Sequence, residues 1–518
     1  MDSLAHHLLS IVVFLPAAGS LLLWAARRPR IAKRIAIGFA GATLIISLLI
    51  PLAGRFDTTE IHFDKTATMT YGHRISYHLA VDGLSWPQTV ITALLFLLAC
   101  VAAEKEADRF GPFFSRLLLL QTCALGTFLA NDPWLFFIFL ELATFLLLLV
   151  ARSGSKQKTD RAYGPFIHAA ASGILLVVAI AMIDRHATIA PSLRTVAFVL
   201  FLLAMLIRMA ILPFGAWIGT VYSHAPAPIL MVLSPVILLS GAYGLLRIAY
   251  PTFADIAAYA WLPLASLGVA CLLFNALCAL SQVDLHRFLA HQSSAISGVI
   301  LIGIAVMSRT ALNGTIFLLV ASALASASLI FIADMIRRRA GHADMDHLGG
   351  LAGAMPKLWS FSVISMANQV GLPALAMFVG EILIVIGIFR VSQPQSLPHS
   401  FAAVETAAVF TIAVATCVGL ILLAVSMARA TQSVFLGPPG VLQERMPDAT
   451  PAEIAVLAPL AALIVALGIL PSLLIFHFTG STMREIMSTY QRAASNHAEQ
   501  NPAGSSATPQ ITTANLKQ

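Results

Sequence analysis

Charge is what this chain has least of. Only 11% of its 518 residues are Asp, Glu, Lys or Arg, where soluble domains run near about 25%; a string of soluble domains, which the length alone would suggest, is excluded. Cysteine is scarce too. Cys100, Cys123, Cys271, Cys278 and Cys417 lie in or at the ends of apolar runs, with no CxxC pair and no metal-ligand spacing, and read as small core residues. No Gly-rich phosphate loop, Ser/His/Asp constellation or haem-attachment motif falls on a plausible loop, so no redox or hydrolytic centre, bound cofactor or metal is expected on this chain. The formal net charge of +7 does not point to nucleic acid, because the arginines gather in short loops and no basic face alternates with aromatics.

What is present in their place is apolar length. Hydrophobic residues make up 58% of the chain and the mean hydropathy is +0.86, the signature of an all-α polytopic membrane protein folded as one bundle in the lipid bilayer. A span needs roughly 20 apolar residues, which predicts about fourteen helices near 5–26, 35–53, 85–103, 113–130, 133–151, 163–184, 194–217, 227–249, 258–281, 286–307, 311–336, 357–390, 403–434 and 452–478. The basic loops fall after the first helix (Arg27, Arg28, Arg30, Lys33, Arg34), the fifth (Arg152, Lys156, Lys158, Arg161) and the eleventh (Arg337, Arg338, Arg339, Lys357). All are odd-numbered, which places both termini on the non-cytoplasmic side. The basic run follows the first apolar stretch instead of preceding it, so that helix is expected to stay in the mature protein. The connection 54–84, with His62, His73, His78 and Asp82, reads as a solvated or surface-lying segment, and the polar residues 481–518 as a disordered tail.

Two of the spans are interrupted and charged. Ala204 to Trp217 (AMLIRMAILPFGAW) breaks at Leu212-Pro213 and holds Arg208; Ser365 to Arg390 breaks at Gly371-Leu372-Pro373 and holds Glu381. Charges beside broken helices suggest an ion path. A third charge, Glu141, lies deep in PWLFFIFLELATFLLLLV, and a Glu141–Arg208 pair is the sharp reading against a protonated acid bonded to a neighbouring helix. Arg208 stays charged and can act only as a fixed charge. Glu381 has no basic partner on its own helix and can load and release protons where the break lets water reach it; the alternative is a neutral packing acid. His224, His286 and His291 stand at helix ends, where a relay competes with a plain interfacial role. His168 can equally be a packing residue.

These residues lie in segments that resemble the antiporter-like proton-channel subunits of the respiratory complex I membrane arm, most closely the subunit M group of NADH-quinone oxidoreductase. The segments are YHLAVDGLSWP at 77–87, FLANDPWLFFIFLEL at 128–142, HAPAPILMVLSPVILLSGAYGLLRI at 224–248, ALSQVDLHRFLAHQSS at 279–294, DHLGGLAGAMP at 346–356, LPALAMFVGEILI at 372–384 and TQSVFLGPPG at 431–440. Seven in the right order are specific. The glutamate of the twelfth helix favours subunit M over its relatives. The resemblance implies two inverted five-helix repeats, each with a broken helix: 113–250 (helices 4–8) and 251–440 (helices 9–13), preceded by 1–112 and followed by a last helix within 441–480. It implies a proton-translocating subunit in a bacterial inner membrane with Glu141, Arg208 and Glu381 on the proton path. Its partners would be sister antiporter-like subunits, with NADH, FMN, iron-sulfur clusters and quinone on other chains. A subunit of a multisubunit sodium/proton antiporter or membrane-bound hydrogenase shares the fold. The departures are the ground for a third reading, ranked after these two, a structural paralogue that does not pump: Arg208 and Leu239 stand where the family has lysines, and Ser322 and Tyr222 at family histidine or polar positions.

Overall fold

The computed structural model describes residues 2–25, 28–53, 61–64, 69–70, 74–75, 77–103, 110–153, 163–184, 191–390, 402–438, 446–472, 476, 479–480 and 487–488. The tail expected at 481–518 falls almost wholly outside these residues, as do His73 and the loop basics Arg27, Lys156, Lys158 and Arg161.

Among the described residues, twelve helices are long and apolar enough to cross a membrane. We number the helices in chain order: α1 (Asp2–Ala25), α2 (Pro29–Ala53), α3 (Ser85–Ala102), α4 (Phe110–Leu129), α5 (Pro133–Ser153), α6 (Tyr163–Asp184), α7 (Pro191–Arg208) and α8 (Ala216–His224). Then come α9 (Ala227–Thr252), α10 (Trp261–Ser281), α11 (Leu285–Val306), α12 (Arg309–Ala340), α13 (Pro356–Gln369), α14 (Ala376–Ile388), α15 (Ala402–Thr431) and α16 (Pro451–Ile469). The pairs α7/α8 and α13/α14 are the halves of the two interrupted helices. The first runs further than the sequence suggests: its second half continues to His224 instead of ending near 217, because the Pro213 turn is followed by a fresh helical turn from Gly215.

Local signals fix the ends. Asp284 caps α11 by accepting from the Arg287 N–H at 2.9 Å, and Ser308 caps α12 by accepting from Ala311 at 3.2 Å. Thr450 and Glu453 form a reciprocal capping box on α16, and Gly341, at φ 80°, stops α12. Helices α9, α11 and α12 are almost entirely buried, whereas only 28% of the residues in the spans of α2, α6 and α15 are buried. Small residues bring α14 close to the buried α12: a Cβ on Gly314 would lie 2.8 Å from the Gly380 carbonyl oxygen.

The segment before α3 departs from expectation. Ile61–Asp64 pairs antiparallel with His78–Val81, and Asp82, expected in a solvated stretch, is buried. It accepts from the N–H groups of Leu84 and Ser85 at the start of α3 and pairs with Arg247 of α9 at 2.7 Å. The same guanidinium reaches the Asn131 side chain at 2.6 Å.

Candidate functional site

Both interrupted helices break in the same way. At the end of α7, Ala210 takes a left-handed conformation (φ 54°), its N–H bonds to the Ile207 carbonyl at 3.2 Å and the next N–H, of Ile211, reaches back to Leu206 at 3.1 Å. At the end of α13, Gly371 (φ 74°) bonds to Asn368 at 3.0 Å and Leu372 reaches back to Ala367 at 3.1 Å. This is the Schellman termination, which satisfies the last carbonyls of a helix that cannot continue. Other freed groups also find partners. The Trp217 indole donates to Ile207 O at 3.1 Å, the Ser294 hydroxyl to Ala210 O at 2.6 Å, and the Asn368 side chain accepts from the Met377 N–H at 2.9 Å where α14 begins.

Arg208 ends α7 and is 2% exposed. A buried guanidinium requires compensation, and α5 supplies it. Nη2 donates to Oε1 of Glu141 in a close ion pair, and Nη1 donates to the Thr144 hydroxyl at 2.6 Å. Glu141 and Thr144 are three apart and share a helix face. Nε of Arg208 is buried without a partner among the described residues. The Glu141 carboxylate rests against Gly173 of α6, where a Cβ would come within 2.9 Å of Oε2. A cavity of about 20 Å³ adjoins the pair, lined by Thr144, His168, Ser172, Arg208 and Trp217 together with apolar side chains.

Glu381 lies on α14 beyond its break and is 8% exposed. A Cβ on Gly371 would stand 2.5 Å from its Oε2, so the carboxyl is folded back against the left-handed residue of the break. Among the described residues no hydrogen bond or ion pair reaches it. The two charges therefore differ in register: Arg208 stands two places before Ala210, and the corresponding place before Gly371 belongs to Gln369.

Helix α11 ties the breaks together. Ser294 donates to Ala210 O, as above; two residues earlier, Gln292 accepts from Gln369 at 3.3 Å and donates to Ser426 of α15 at 2.8 Å. Tyr222 of α8 bonds to Ser293 at 2.8 Å. Gln292, Ser293 and Ser294 belong to a motif visible in the sequence, but the contacts that give them this bridging place are long-range.

The three histidines at helix ends do not join this network directly. His224 Nδ1 meets Thr220 O at 2.8 Å and His291 Nδ1 meets the Asn275 side chain at 2.9 Å. His286, the second residue of α11, is 1% exposed with Nε2 unpartnered among the described residues. No hydrogen bond among described residues links any of them to one another, to Glu141 or to Glu381. Asp334 and Asp82 are buried acids that the sequence did not mark as buried, Asp82 having been expected in a solvated segment. Asp334 of α12 is held by Arg337 at 2.6 Å and Arg338 at 2.5 Å, a pairing that the three- and four-residue spacing could have signalled. The Asp82–Arg247 pair spans 165 residues and carries no local signal. Leu239 is 3% exposed, in the stretch of α9 between π-helical turns at Ser234–Leu238 and Leu245–Ala249. Ser322 is buried and donates only to Leu319 O of its own helix, at 3.3 Å.

A family model described as "NADH:quinone oxidoreductase/Mrp antiporter, TM" matches residues 130–411, a stretch that contains both breaks together with Glu141, Arg208 and Glu381. The chain belongs to this family. It is an integral, multi-pass membrane protein with the antiporter-like fold. The "NADH-quinone oxidoreductase subunit M" of Escherichia coli is 31% identical over 432 residues, 77% of this chain and 84% of that protein. "NAD(P)H-quinone oxidoreductase chain 4 1" of a Synechococcus species is 30% identical over 492 residues, 91% of each. Two solved structures share the fold. A chain of respiratory complex I from Thermus thermophilus has a TM-score of 0.80 at 22% identity, covering 94% of this chain and 99% of that one. A chain of the Mrp complex from a Dietzia species has a TM-score of 0.79 at 20% identity, covering 95% and 99%.

Proposed function

We propose that this chain is a proton-translocating membrane-arm subunit of a complex I-type NADH-quinone oxidoreductase. The observation that carries the reading is that each of two identically built helix breaks holds a buried ionisable side chain, Arg208 and Glu381, inside a bundle of this family. Electron transfer takes place on partner chains, which carry NADH, FMN, iron-sulfur clusters and quinone; this chain holds no redox centre and moves protons through Glu141, Arg208 and Glu381. His224, His286 and His291 serve as relays to water. The chain divides into two inverted repeats, 113–250 and 251–440, flanked by 1–112 and by a last helix within 441–480. It sits in a bacterial inner membrane beside sister antiporter-like subunits, with both termini on the non-cytoplasmic side.

The physical support is the cost of a carboxyl deep in hydrocarbon, about 2.5 kcal/mol or more for an ionised acid at a helix centre. Placing it beside a break, where backbone groups admit water, lowers that cost and gives a proton a way in. The test is Glu381→Gln in the purified complex reconstituted into vesicles, with proton uptake measured against NADH oxidised. The proton-to-electron ratio is expected to fall while oxidation continues; an unchanged ratio overturns the pumping role of the second break.

One observation favours a second reading, a structural subunit that does not pump: Arg208 cannot release a proton and Leu239 offers none. Recovery of a higher ratio in Leu239→Lys would assign the chain a degenerate path, whereas a full ratio in the unmodified complex removes this reading.

A further inference from the structure

Asn275 of α10 is an interior amide, 6% exposed, with one end tied to its own helix and the other to α11. Its Nδ2 lies 2.9 Å from the Cys271 carbonyl oxygen and 3.4 Å from the Cys271 Sγ, while its Oδ1 lies 2.9 Å from Nδ1 of His291. A carbonyl oxygen can only accept, so the end that faces Cys271 O is the NH2 group; turned over, two oxygens would face each other. The end that faces His291 is then an oxygen, which also only accepts, so Nδ1 carries the hydrogen. The cysteine is anchored in turn. Its Sγ donates to Ser294 O at 3.5 Å and meets the Leu212 backbone, and the Ser294 hydroxyl donates to Ala210 O. Glycines let α10 and α11 approach this closely: a Cβ on Gly268 would lie 2.8 Å from the Gly298 carbonyl oxygen. The ring of His291 is thus held, through Asn275 and Cys271, on the same frame as the first break.

We propose that Asn275 is a positioning residue that fixes His291 in the Nδ1–H tautomer and leaves Nε2 as the atom through which the ring exchanges protons. This rests on the relay reading of His291 above. Nε2 has no hydrogen-bond partner among the described residues, so its lone pair is not taken up by the protein. When Nε2 takes a proton from a hydronium ion, an N–H bond forms as an O–H bond breaks, and a water molecule is left. Nδ1 keeps its hydrogen throughout, so its bond to Oδ1 survives in both states and the ring stays where it is. The opposite tautomer would set the Nδ1 lone pair against the amide oxygen, two acceptors face to face, and would put a hydrogen on the one atom that has to receive one. A neutral asparagine orients the ring here without adding a second charge to a buried site.

The test is read on the purified, assembled complex with ring-labelled histidine, by the vibrational bands that separate an Nδ1–H from an Nε2–H ring; subtracting the spectrum of His291→Gln isolates the signal of His291. Wild type is expected to show the Nδ1–H form, and an Nε2–H ring overturns the proposal before any variant of Asn275 is made. Asn275→Ser is expected to keep a bond to the Cys271 carbonyl, four residues back, through its hydroxyl while withdrawing the acceptor from His291. The tautomer ratio is expected to move roughly fivefold toward Nε2–H, the worth of one neutral hydrogen bond. Asn275→Leu takes its place if the serine variant does not assemble, and an unchanged ratio overturns the proposal. Proton uptake per electron separates this proposal from the reading beneath it. If His291→Gln pumps at the full ratio, the relay reading fails and takes Asn275 with it. If His291→Gln lowers the ratio while Asn275→Ser keeps it, only the role of Asn275 fails. Equal losses in the two single variants, with no further loss in the double, are the expected result.

Discussion

At the scale of single residues, the Arg208–Glu141 pair is the feature with the largest energetic consequence. Removing Glu141 strands a guanidinium that is 2% exposed, whereas the Glu141 side chain is 27% exposed; breaking a fully buried pair costs about 3 kcal/mol or more, an upper bound for this half-open one, while replacing both partners by apolar residues is often neutral. Glu141→Leu and Arg208→Leu are each expected to lower thermal stability in detergent, and the double substitution to recover most of the loss. Additive losses would show that the two side chains do not depend on each other. Thr144→Val is a milder case: it takes one neutral acceptor from Arg208, a loss of about 1 kcal/mol. The pairing of Glu141 with Arg208 could be inferred from the sequence, because each charge lacked any other reason to be buried. The places of Thr144 and Gly173 could not, since nothing in their identities marks a threonine as a second acceptor or a glycine as the space for a carboxylate.

At the scale of elements, the two breaks set where charge and water can meet. Gly371 is doubly constrained, by a φ of 74° and by the Glu381 carboxyl 2.5 Å from its missing Cβ. Gly371→Ala is expected to cost about 1 kcal/mol of backbone strain and, by pushing the carboxyl out of its place, to reduce proton uptake per electron more than it reduces stability. Retained coupling would show that the position of Glu381 against the break is unimportant. A second element-scale device fixes where α13 begins: Asp448, in the lead-in to α16, accepts from the N–H groups of Lys357 at 3.0 Å and Leu358 at 3.2 Å. Burial alone would raise this carboxyl, but the N–H groups of Lys357, Ala449 and Leu358 and the Lys357 charge outweigh it and hold it below its ordinary value. A lowered value in the folded state means that the stabilisation is present above about pH 4 and is lost as pH falls through the lowered value. The thermal stability gap between wild type and Asp448→Asn is therefore expected to be widest near neutrality and to close on acidification toward pH 3; a gap independent of pH would exclude the ionised carboxyl as its cause.

At the scale of the whole molecule, the almost fully buried α9, α11 and α12 form an axis around which both interrupted helices are arranged, with α11 bonded to each. Helices α2, α6 and α15 present apolar surface outward, to lipid or to neighbouring chains. Purification in mild detergent is expected to bring down NADH- and flavin-binding chains together with sister antiporter-like subunits. A hydrogenase large subunit in their place would move the chain to the alternative complex.

Hydrophobic length by itself determined that this is a bundle of membrane helices, because hydrocarbon leaves the backbone no other way to satisfy its hydrogen bonds. Gly and Pro in apolar runs likewise determined where two helices break, and the depth of Glu141, Arg208 and Glu381 marked them as exceptional. What only the tertiary structure decided was partnership. The sequence placed Asp82 in a solvated segment, and the fold buries it against Arg247, 165 residues away. His286 stands at a helix end as the sequence suggests, and only the fold shows that it is buried there. His168 of α6 and Arg208 of α7 line one small cavity, a neighbourhood that the sequence could not supply. Periodicity and composition report what a residue must avoid, namely unpaired burial, while the identity of the group that meets this requirement depends on distances between helices far apart in the chain.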